Sequence, residues 1–286
     1  PEGVKKISYY AFNDCSGLTS IMIPKSVEEI NKEAFYYCSG LEKIEVAEDN
    51  EYYRSENNCL IDKETNEIVL GCKNTVIPEK VKIGEGAFRG CSGLTSIIIP
   101  ESITEINESA FCDCSGLISI TIPKNMQTIG RSAFSGCSAL TDITIPEKVT
   151  KIDDFAFSDC SSLTSIIIPE GVTEINDFVF DGCSSLTEIT LPEKVTQIEY
   201  FAFSGCSSLK EINIPENVKE ISNDAFRDCS SLTSITIPDK VEEIGESAFS
   251  DCVNLHEIQW KGVCYSDVNE FIKEFTKAHY YEEEIV

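Results

Sequence analysis

Only two histidines, His256 and His279, occur in 286 residues, with a single tryptophan, Trp260, and two methionines. This removes most of the residue type that serves as general base or metal ligand near neutral pH. The G-x-S-x-G and P-loop patterns are missing too. Zinc sites need CxxC-type pairs beside a second pair or a histidine pair, and the one close cysteine pair is Cys112 and Cys114. The chain therefore reads as a non-enzyme, with no catalytic residue, cofactor or metal site expected. Basic residues are also short: 23 Lys and Arg face 49 Asp and Glu, a formal net charge of −26. Phosphate backbones and anionic membranes would be repelled, so nucleic acid is excluded as a partner. No stretch approaches the roughly 20 apolar residues that span a bilayer, which excludes membrane insertion. No signal-peptide pattern opens the sequence at Pro1, itself the first residue of a repeat, and an export address is expected to precede it. The surplus charge keeps a long surface soluble, and a monomer is expected.

What is abundant is repetition. All ten prolines (Pro1, Pro24, Pro78, Pro100, Pro123, Pro146, Pro169, Pro192, Pro215 and Pro238) hold one slot, spaced 23 residues apart from Pro100 onward. Ten of the 15 phenylalanines, from Phe12 to Phe249, and ten of the 14 cysteines, from Cys15 to Cys252, keep the same beat. A fixed period of this length means stacked coils that share one core, not a globule with a pocket.

Residues 169–191 show how one coil works. Val172, Ile175, Phe180, Cys183, Leu186, Ile189 and Leu191 are its apolar positions. Leu186 to Leu191 alternates as a short strand with one buried face. Pro192 then ends the ladder, because it has no amide hydrogen. Val172 and Ile175 point inward from a second extended piece, and Asp177–Gly182 carries Phe180 inward on a turn or short 3₁₀ segment. Stacked coil on coil, the strands make a long parallel sheet. One cysteine per coil marks a small, buried slot. Adjacent coils lie about 4.8 Å apart, within reach of a disulfide, so free thiols and occasional bridges both stay open.

The resulting pattern is P-x-x-V-x-x-I-x-x-x-A-F-x-x-C-x-x-L-x-x-I-x-I. It resembles the BspA-like subclass of leucine-rich repeats over about residues 1–260, in about ten repeats. The resemblance implies a curved, right-handed leucine-rich-repeat solenoid. Its parallel β-sheet would line the concave face, with short strands and 3₁₀ turns on the convex side. It further implies secretion or display on a bacterial cell surface, and adhesion to host proteins or cells. It carries over no catalytic residue.

Two stretches break the beat. Ala47 stands where a proline is due, and the next proline is Pro78. Within this insertion, residues 47–77, Cys59–Asp62 and Glu67–Gly71 read as a hairpin on the surface, joined by Lys63–Asn66. A ligand-contacting flap and a decorative hairpin are both open readings. Val81 and Ile83 then leave their coil one residue short. Residues 261–286 read as a cap, with a helix at about 267–277 carried by Val268, Phe271, Ile272 and Phe275 and started by Ser266 or Asp267. The tail after Tyr281 is expected to fray.

Two surfaces stand out as candidates. The outward strand column includes Ile98, Thr121, Thr144, Ile167, Thr190, Asn213 and Thr236, beside a column containing Asp142, Glu188 and Glu211. Solenoids commonly bind partners on this concave face, although Thr and Ser also simply suit an exposed strand. The second is Phe155, Phe178 and Phe201, which share one slot in successive coils, with Tyr10 in the same slot of the first. They form either an apolar stripe for a partner or a row of local stabilisers. The leading expectation is a recognition domain binding a host protein or glycan, such as a matrix or serum protein. A passive spacer displaying another domain is the alternative, and an enzyme comes third.

Overall fold

The structure, a computed structural model, describes residues 3–280. It is a curved solenoid in which most coils lay down one or two short strands, and many of these pair with their equivalents in a neighbouring coil, so that each ladder is a series of short sheets. In the first ladder Ser20–Ile23 pairs with Lys43–Val46, Ser96–Ile98 with Ser119–Thr121, Ser165–Ile167 with Glu188–Thr190, and Ser234–Ile237 with Glu257–Trp260. The second ladder uses the dipeptides that end in the inward isoleucine, such as Glu174–Ile175, Gln197–Ile198, Glu220–Ile221 and Glu243–Ile244. All these pairs are parallel, because one full coil returns the chain to the same side before it pairs again. Register is held by burial, since a slip of one residue would turn every isoleucine to solvent.

The core is a set of columns. Phe88, Phe111, Phe134, Phe157, Phe180, Phe203, Phe226 and Phe249 stack with ring centroids 5.0–5.8 Å apart. Burying each such ring contributes about 1.5–3 kcal/mol. The cysteines beside them do more than fill space. From Cys114 to Cys252 each thiol of the column reaches back one coil to the phenylalanine carbonyl, as from Cys137 Sγ to Phe111 O at 3.2 Å and from Cys183 Sγ to Phe157 O at 3.2 Å. All 14 cysteines are unpaired, with Cys15 half-buried, Cys264 exposed and the rest buried.

The convex segment is a turn in most coils rather than a helix. In most coils the residue two before the core phenylalanine, such as Ser109, Ser132 and Asp224, has positive φ, Glu33 and Ser247 being the exceptions, and so does the residue two after it, such as Asp113, Gly136 and Asp159. A left-handed residue stops helical propagation. The single 3₁₀ helix among the described residues, Lys32–Phe35, lies where that slot holds Glu33 and is capped by Asn31 Oδ1, which accepts from Glu33 N.

The expected hairpin forms, with Cys59–Asp62 antiparallel to Glu67–Leu70, but it is buried rather than on the surface. The insertion contains a third strand, Tyr53–Glu56, antiparallel to Cys59–Asp62, and Glu67–Leu70 continues into the solenoid by pairing parallel to Lys82–Ile83. Residues 47–77 are one lengthened coil that forms a wall between two cores. Leu60 and Leu70 face the core of the first coils, while Cys59, Ile61 and Ile68 face the core of the later ones. Both faces are covered, which is why these runs are continuously apolar. On the convex side the coils before and after the wall touch directly. Tyr37 N donates to Arg89 O at 3.2 Å, Lys32 pairs with Glu85 at 3.1 Å, and the Arg89 guanidinium lies 5.1 Å from the centre of the Tyr36 ring.

The expected cap is present, with its helix spanning Val268–Tyr280, three residues beyond the expected end. Asp267 Oδ1 accepts from Glu270 N at 2.9 Å, an N-cap bond. Phe271 and Phe275 close the last coil by packing on Trp260. The expectation of a frayed tail falls outside the described residues.

Candidate functional site

The pleat places the outward column as expected. In Ser165–Ile167 only Ile166 is buried, and in Glu188–Thr190 the outer two residues are exposed. Register sets Thr121 beside Ile98, and Thr190 beside Ile167. Ile98 is 71% and Ile167 70% exposed, so neither contributes to the core. Thr121, Thr144, Thr190, Asn213 and Thr236 are exposed on the same face. The column is nevertheless discontinuous as a sheet. Around Thr144 the ladder thins to one bridge, Asp142 to Ser165.

Three of the predicted residues come together. Thr190, Asn213 and Thr236 line an open depression of about 530 Å³ with Glu188, Glu211 and Ser234. The neighbouring threonine column is structural: Thr164 and Thr187 hydroxyls donate to the carbonyls of Thr141 and Thr164, at 3.3 and 3.1 Å. The second ladder presents its own acidic stripe, where Gln197 Nε2 donates to Glu220 Oε2 at 3.0 Å and Ser222 Oγ to Glu199 Oε2 at 3.3 Å. Burial, and then the Glu220 charge, hold the Glu199 carboxyl above its ordinary range, opposed by the Ser222 hydroxyl.

The aromatic stripe is a true stack. Phe155 and Phe178 lie 4.5 Å apart, and Phe178 and Phe201 4.7 Å apart, with planes within 7°. All three have φ between 55° and 58°, a left-handed backbone that phenylalanine rarely adopts. Tyr10 shares that backbone but packs on Tyr9 instead. The stack has one end covered, a feature the sequence reading missed. The Arg131 guanidinium sits 4.9 Å over Phe155 and pairs with Asp154 at 2.6 Å. The spacing held the clue, because Arg131 occupies the Asp154 slot one coil earlier. The left-handed residue after the core phenylalanine was also missed, although that slot holds Asp or Gly in every regular coil except that of Tyr37.

The family model described as "BspA type Leucine rich repeat region" matches six copies, over residues 1–81, 61–186 and 150–271. A leucine-rich repeat protein from Eubacterium ventriosum is similar at 27% identity, with a TM-score of 0.64, over 88% of this chain and 63% of its own. The chain thus spans less than two thirds of that relative. A Treponema pallidum leucine-rich repeat protein aligns at 26% identity and TM-score 0.53, over 68% of this chain and 86% of its own. The pneumococcal vaccine antigen PcpA shares the fold at 21% identity and TM-score 0.51, over 80% of this chain and 56% of its own. No curated protein matches the chain.

Proposed function

Because the chain belongs to the BspA-type leucine-rich repeat family, we propose that it is a non-enzymatic recognition domain of a secreted or surface-displayed bacterial protein. It binds a host protein or glycan through the concave strand face. The observation that carries this reading is the bare column of that face. Ile98 and Ile167 are 71% and 70% exposed there, and Thr190, Asn213 and Thr236 of the same column line its depression.

A binding screen of the purified chain against matrix proteins, serum proteins and glycans at physiological salt tests it. A specific ligand is expected, weakened about tenfold or more by Thr190→Lys with Asn213→Lys. Loss on Phe178→Ser with the lysine variants unaffected would move the site to the aromatic stack. A folded sample that binds nothing would leave the passive-spacer reading.

A further inference from the structure

The charges on the concave face differ from one end to the other. Near the start of the chain Glu45 is neutralised by Lys43 at 2.8 Å. Other bases are similarly occupied: Lys5 holds Glu28, Lys6 holds Glu29 and Lys151 holds Asp153. At the depression this balance disappears. Glu188 and Glu211 both line it, and neither joins an ion pair among the described residues. No basic side chain lines it at all. The nearest cation along the chain, Lys210, belongs to the neighbouring column between Thr187 and Thr233. Ile167, 70% exposed, adjoins the depression through its register with Thr190.

From this face we infer the chemistry of the partner: a basic polypeptide segment. This rests on the reading of the chain as a recognition domain. Lysine or arginine side chains of the segment pair with Glu188 and Glu211, and an apolar side chain covers Ile167. Thr190, Asn213 and Thr236 hydrogen-bond its backbone or polar groups. The net charge of −26 speeds the approach of such a partner and repels sulfated or sialylated glycans. Repulsion between the two carboxylates, unrelieved within the chain, is relieved when the cations arrive.

Fluorescence anisotropy with a labelled peptide of alternating arginine and leucine tests the inference, with peptides carrying aspartate or serine in place of arginine as comparators. Tight binding is expected for the arginine peptide alone, weakening as salt rises. Glu188→Gln with Glu211→Gln should weaken it about tenfold or more, and Ile167→Ser several-fold. Glu101→Gln with Glu147→Gln removes the same charge elsewhere and should leave affinity unchanged. Equal weakening by that control pair would reduce the effect to bulk charge and overturn the inference. So would no binding, or equal binding of the aspartate peptide. If a ligand from the screen is lost with Thr190→Lys but keeps its affinity with Glu188→Gln and Glu211→Gln, the recognition function stands and the basic partner falls.

Discussion

Phe178 has φ of 55°, where regular coils elsewhere use Ser109, Ser132 or Asp224. A left-handed backbone costs a non-glycine residue about 1–2 kcal/mol. Stacking on both Phe155 and Phe201 contributes about 0.5–1.5 kcal/mol per pair and offsets that cost. The two terms separate by mutation. Phe178→Ala keeps the strained backbone and loses both stacks, so it should destabilise by about 1–3 kcal/mol. Phe178→Gly loses the same contacts but relieves the strain, and should be about 1 kcal/mol less harmful despite glycine's greater flexibility when unfolded. Urea titration measures both, and a glycine variant no more stable than the alanine one would dismiss the strain argument. The column itself was legible, because Phe155, Phe178 and Phe201 recur 23 residues apart. Its backbone was not, because phenylalanine gives no local signal for positive φ, whereas the Asp and Gly of the slot before cysteine did give one.

The lengthened coil shows how one element can leave the pattern while its ladder persists. Asn50 stands where the repeat asks for valine, and it is 1% exposed. Its Nδ2 donates to Pro24 O and Val27 O at 2.9 and 3.0 Å, and its Oδ1 accepts from Tyr52 N and Tyr53 N at 2.9 and 2.7 Å. The amide therefore ties the previous coil to the chain as it turns off into the wall. Asn50→Val restores the repeat pattern yet strands these backbone groups, and should cost about 2–4 kcal/mol. A variant as stable as the parent by chemical denaturation would show that the repeat pattern, not the bonding, governs the site. The second and third strands of this coil could be read because Cys59–Asp62 and Glu67–Leu70 carry apolar runs. Tyr53–Glu56 could not, because its sequence, Tyr-Arg-Ser-Glu, has one buried residue and no alternation of apolar side chains.

Across the whole molecule the period dictated the stack, since every coil must satisfy the same neighbour, while the cap was legible from the helical stripe of Val268, Phe271, Ile272 and Phe275 where the period ends. The outward column of the strand face was legible only in position, because the core does not constrain which residues stand exposed there. The buried thiols also act as a set. Burial lifts Cys38 to about 11, and Cys59, Cys91, Cys112 and Cys252 to about 12, from the ordinary 9.0. The thiols are neutral in the folded chain and ionise first in the unfolded one. Their contribution is thus fully present below the unfolded value and is lost as pH rises through the folded values. The urea midpoint, measured without oxidation, should hold level from about pH 7 to 8 and fall steadily between about pH 9 and 11. A midpoint unchanged up to pH 11 would contradict this.

Trp260 is the sole tryptophan, 6% exposed, and packed beneath Phe271 and Phe275 on the final coil. Its emission is therefore a local optical signal, blind to events at the wall or in the first coils. Where a stack of this kind melts from its ends, the tryptophan spectrum will shift with the cap alone. Circular dichroism will follow the remaining coils at their own temperature, and the interval between the two curves will measure how far the coils melt as one.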